Sequence, residues 1–106
     1  MHIWKRFKGR LARAKAVARR KKDYQEGHRR QEALFKMGDE ALARKDTHLM
    51  RQTIQQIKLY NRSLLEAARR AKKTGNLEMY NKLHQGVLDG IRTIKNFQVE
   101  IQKIEN

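Results

Sequence analysis

Proline and cysteine are both absent from this chain. Without proline no ring breaks a helix or removes an interior N–H donor, so long uninterrupted helices are favoured over a turn-rich β fold. Without cysteine neither a disulfide framework nor a thiolate metal site can form. At 106 residues the core is small and has no such staples, so tight helix packing or a partner must supply stability. No run of about eighteen apolar residues occurs, which leaves no candidate transmembrane segment. The apolar centre of a secretory signal is missing too, because bases interrupt residues 1–22 every two or three positions. That stretch shares the Arg-rich, acid-free character of organellar transit peptides. It has no Ser or Thr, however, and a cytoplasmic address is expected.

Acids are also scarce, 11 Asp and Glu against 26 Lys and Arg, for a net charge of +15. The excess is not spread evenly. Residues 1–22 hold ten bases and no acid, whereas residues 23–45 hold five of each. Residues 46–75 hold seven bases against two acids, and residues 76–106 four against four. The positive charge is thus confined to two segments, and the other two read like an ordinary solvated helix surface. Like charges packed this densely repel one another until an anion neutralises them, so the two segments imply a polyanionic partner.

Hydrophobic periodicity predicts an all-α chain. Trp4, Phe7, Leu11, Ala14 and Ala18 recur at helical spacing, so residues 1–22 form a basic amphipathic arm. Residues 23–45 continue the helix or restart it after Gly27, and the phase of that stripe does not run on to Leu34, Met37, Ala41 and Leu42, which predicts a bend or break between Lys21 and His28. An antiparallel three-helix bundle within residues 23–106 follows, with helices at about 28–45, 48–73 and 77–104. The second helix carries Met50, Ile54, Ile57, Leu64, Ala68 and Ala71 on one stripe, with Asp46 or Thr47 as its N-cap. Gly75 suits the left-handed position after it, and Asn76 caps the third helix. Leu83, Val87, Gly90, Ile94, Phe97, Ile101 and Ile104 alternate four and three apart along that helix. Leu77, Tyr80, Leu88 and Ile91 make a second apolar flank, which predicts a central helix touched on two sides. The stretches 43–49 and 71–77 are alike, each a small residue, two bases, a turn and a leucine, and read as two helical-hairpin corners.

Two constellations carry the functional reading, and the fold is expected to merge them into one continuous electropositive track. On a helix turning 100° per residue, Arg51, Lys58, Arg62, Arg69 and Lys73 fall within about 60° of one another, in a row about 33 Å long. A straight row of cations can follow a phosphate backbone. The plainer alternative is a solvated face whose last members complement the helix dipole. In the arm, Lys5, Arg6, Lys8, Arg10, Arg13, Lys15, Arg19, Arg20, Lys21 and Lys22 are the expected phosphate contacts, with Trp4 and Phe7 as stacking candidates. This Arg-rich stretch resembles the short antiterminator peptides of lambdoid phages, and the resemblance implies a helix that orders on RNA. Two other readings of the arm stand beside that one. Ile3, Trp4, Phe7 and Leu11 suit an interfacial helix on anionic lipid, or the same stripe simply packs on the bundle.

Catalysis is not expected. His2, His28, His48 and His84 are scattered without metal-ligand spacing, the glycines form no phosphate-cradling loop, and Asp39 and Glu40 diverge on successive helical positions. No metal, no cofactor and no enzymatic activity are therefore anticipated. The expected function is phosphate clamping on nucleic acid, RNA ahead of DNA, within a nucleoprotein assembly and with self-association open to the neutral helices. The rival expectations are an adaptor or inhibitor that docks on an acidic protein surface, and a membrane-surface protein.

Overall fold

Three helices account for nearly the whole chain: α1 (His2–Ala43), α2 (Thr47–Lys73) and α3 (Leu77–Glu105). The computed structural model describes the backbone of residues 2–106 and the side chains of Lys22 and residues 24–106, and no strand occurs among the described residues. The architecture is all-α, as the periodicity requires. Its contacts fall into two units, Met1–Arg30 and Gln31–Asn106.

Of the bend or break expected between Lys21 and His28, no break occurs: helical hydrogen bonding runs through 42 residues without interruption. The reason lies in local energetics. A lone interior Gly27 costs the helix only about 1 kcal/mol, and the surrounding Lys, Arg, Gln, Glu and Ala are good helix formers. A slip in apolar phase changes which face is buried without breaking the backbone ladder. The helix expected over 28–45 is therefore the second half of α1 and ends at Ala43.

Both corners end a helix in the same way. Asp46 N–H donates to the Ala41 carbonyl at 2.9 Å and Lys45 N–H to Leu42 at 3.0 Å. Asn76 N–H donates to Ala71 at 2.9 Å and Gly75 N–H to Lys72 at 3.2 Å, repeating the pattern. These are paired Schellman bonds, which satisfy the last carbonyls of α1 and α2. Asp46 and Asn76 then cap the following helices, accepting from Leu49 N–H at 3.1 Å and Met79 N–H at 3.2 Å. In space Lys45 thus corresponds to Gly75, two positions away from the partner suggested by aligning the two stretches residue for residue. Both take the left-handed conformation, Lys45 at φ 56° and Gly75 at φ 76°. A lysine there carries a Cβ penalty that glycine escapes. Lys45→Gly should raise stability by about 0.5–1 kcal/mol, part of the gain being lost to the freer unfolded chain, and a thermal melt reads the shift.

The core lies where the end of α1 meets α2 and α3. Ala41, Met50, Ile54, Ile57, Ile94, Phe97 and Ile101 are buried together, with Leu34, Phe35, Leu42, Leu49 and Ile104 packed around them. Every member of the α3 seam from Leu83 to Ile101 is buried, as the four-three spacing demands. Met37 departs from its expected place and is 40% exposed. The helix-to-helix approach at that level is made by Gly38, directly beneath the Phe97 ring, so α1 is rotated to bring glycine inward. Further along, the buried Gln31 amide donates to the Gly86 carbonyl at 2.7 Å, joining α1 to α3. Gly90 lies against the Asn61 amide, which donates to the Val87 carbonyl at 3.2 Å. The side of α3 that carries Gly86, Gly90 and Phe97 is therefore the one enclosed by α1 and α2. The second flank is not: Leu77, Leu88 and Ile91 lie 62%, 43% and 42% exposed, with only Tyr80 half-buried. α3 touches both other helices through its buried seam and its glycines, and of that flank Leu77, Leu88 and Ile91 stay exposed.

Candidate nucleic-acid interface

Helix α2 places its cations by simple periodicity. Its core stripe of Met50, Ile54, Ile57 and Ala68 faces the other helices, which leaves Arg51, Lys58, Arg62, Arg69 and Lys73 together on one flank, all exposed. Arg51 pairs with Glu105 across the α2–α3 contact. Lys58, Arg62, Arg69 and Lys73 make no ion pair among the described residues, and Asp46 and Glu66 are the acids of their segment. Asp46 is already engaged in capping α2. Arg70, Lys72 and Lys73 lie in the last turn, where the helix dipole favours bases. Arg51, Lys58 and Arg62 lie too early for that explanation.

The row borders a groove. Ile54 and Ile101 form its floor, Arg51, Gln55 and Lys58 run along the α2 wall, and Gln98 faces them from α3. Both isoleucines are nearly covered, 4% and 7% exposed. Helical spacing puts Gln55 on the face of the cation row, whereas Gln98 joins it only because α3 is laid beside α2.

At the other end of the row lies a feature that residue counting did not single out. Tyr80 and His84 stack with ring centroids 5.6 Å apart and planes 16° from parallel. The Lys72 ammonium lies 5.6 Å from the Tyr80 ring centre, within cation–π range. Tyr24 and His28 form a second pair of the same kind on α1, at 6.3 Å and 14°. The available signal was Tyr-x-x-x-His, an i,i+4 spacing that puts both rings on one helical face.

Of the arm residues, Lys22 is described and exposed. The other expected contacts, Lys5, Arg6, Lys8, Arg10, Arg13, Lys15, Arg19, Arg20 and Lys21, have side chains outside the described residues, as do Trp4 and Phe7. The expectation that arm and row merge into one electropositive track therefore also falls outside them. No group of three His, Asp or Glu suited to a metal ion occurs among the described residues, and no described helix is long and apolar enough to cross a membrane. Fold and site together define a strongly basic three-helix protein with an exposed cation row on its second helix. No family model matches the chain, and neither a curated protein nor a solved structure does so.

Proposed function

We propose that this protein binds nucleic acid by clamping phosphates, RNA ahead of DNA, as a non-catalytic part of a cytoplasmic nucleoprotein assembly. The observation that carries the reading is the exposed row on α2, in which four of five cations lack a counter-ion among the described residues. Clustered charges without partners repel one another at a cost in stability, and a bound polyanion removes that cost. The ten bases of residues 1–22 add a second concentration of the same sign.

RNA is favoured over a duplex-reading mode by the geometry of the hairpin. α2 and α3 touch at both ends, through Arg51 and Glu105 at one and Lys72 and Tyr80 at the other. They therefore run antiparallel along their length, unlike the crossed pair that offers a recognition helix to the major groove. The chemistry left to such a hairpin is backbone contact and shape.

The direct test is a titration against labelled RNA over a range of salt concentrations. Log affinity should fall linearly with log salt, with a slope of roughly 0.7–0.9 for each phosphate neutralised. Replacing Arg13, Arg19 and Arg20 with Gln should flatten that slope by about 2–3. Unchanged affinity and slope would remove the arm from the binding surface. Purification with and without nuclease, read by the 260/280 absorbance ratio, shows whether nucleic acid travels with the protein.

A further inference from the structure

The last turn of α2 and the first turns of α3 bring together two chemistries that are far weaker apart. Lys72 reaches the Tyr80 ring, so the basic end of α2 lies directly beside that aromatic side chain. Arg69 and Lys73 are both exposed and lie within one helical turn of Lys72 along α2. Tyr80 is half-buried and holds its ring in place, while His84 stacks on it and is itself exposed. The Tyr80 ring thus has both the Lys72 ammonium and the His84 imidazole against it, and the imidazole is open to solvent. Leu77 and Leu88, both exposed, extend apolar surface to either side along α3.

We infer that Tyr80 and His84 form a base-stacking platform at the Lys73 end of the cation row, so that the nucleic acid held there is single-stranded. This rests on the phosphate-binding reading of the row and specifies its ligand. In a duplex each base is already stacked on its neighbours, and no face is free to continue a protein stack. An unpaired base has a free face. Stacked on His84, it leaves its phosphate within reach of Arg69, Lys72 or Lys73, the pairing of π-surface and cation by which strand-tracking grooves hold single strands. Nothing in the core calls for an imidazole at position 84. Its exposure means that packing alone does not account for the stacked rings.

The test uses the intact chain and two probes, single-stranded oligoadenylate RNA of about 12 nucleotides and a duplex of equal length, a size within the range such grooves occupy. Fluorescence anisotropy should show His84→Ala weakening single-strand binding about tenfold, with duplex affinity and the single-strand salt slope unchanged. His84→Trp, which offers a larger stacking surface, should strengthen it. Tyr80→Phe should bind as the parent does, because the ring and not the hydroxyl is used. Upfield shifts of the His84 ring protons on adding the single strand would report the stacked base directly. If His84→Ala and His84→Trp both leave single-strand affinity where it was, or shift both probes equally, the platform is refuted while phosphate binding stands. Failure of the intact protein to bind either probe at low salt overturns the phosphate reading as well.

Discussion

Replacing Lys58, Arg62, Arg69 and Lys73 with Gln together should lower RNA affinity at about 0.15 M salt by between a hundredfold and a thousandfold. The estimate follows from counterion release. Each phosphate lost reduces the log–log salt slope by roughly 0.7–0.9, so four contacts remove about 2.8–3.6 from it. All four side chains are exposed and support no ion pair among the described residues, so the folded state should be affected by no more than about 0.5 kcal/mol. The informative control removes the same charge elsewhere. Lys36, Arg44, Lys82 and Lys103 are exposed and lie off the row. Their replacement with Gln lowers the net charge equally, yet should leave most of the affinity and slope in place. Equal losses from the two sets would mean that RNA responds to the total charge of the molecule, and the row would lose its special status.

A second large effect is expected in the core, where its sign depends on a neighbour. Gly38→Ala normally helps a helix by about 1 kcal/mol, because alanine has less backbone entropy to lose. Here the added Cβ would overlap the Phe97 ring, which is itself 3% exposed and has little room to retreat. Overpacking of that kind costs about 1–3 kcal/mol, so the single variant should be destabilised despite its better propensity. Phe97→Ala leaves a cavity and should cost about 3–5 kcal/mol, a large share of the stability usual for a small domain. With the ring gone, Gly38→Ala has nothing to collide with and should recover up to about 1 kcal/mol. Urea melts of the four proteins in this cycle read the coupling. Additive effects would mean that the contact between α1 and α3 does not hold in solution.

These two expectations differ in how far they could be read without coordinates. The cation row is visible in the spacing of Arg51, Lys58, Arg62, Arg69 and Lys73, because helical periodicity is a local property. The caps Asp46 and Asn76, and the buried seam from Leu83 to Ile101, follow from equally local rules. The collision at Gly38 is invisible in the sequence, since its partner lies 59 positions away. Met37 and Gly38 are neighbours, and a rotation of one residue decides which of them faces inward. Near Gly27 the apolar phase shifts while the helix runs on, because burial pattern and backbone hydrogen bonding are set by different energies.

The sequence by itself determined that the chain is helical, where α2 and α3 begin and end, and that its positive charge gathers in two segments. It did so because propensity, capping and periodicity act over a few residues. Only the tertiary structure decided which flank of α3 is covered, that Gln98 faces Gln55 across a groove, and that Lys72, Tyr80 and His84 meet at one end of the row. Those outcomes depend on how one helix is rotated against another. That rotation is set by long-range packing of glycines and large side chains, which no local pattern encodes.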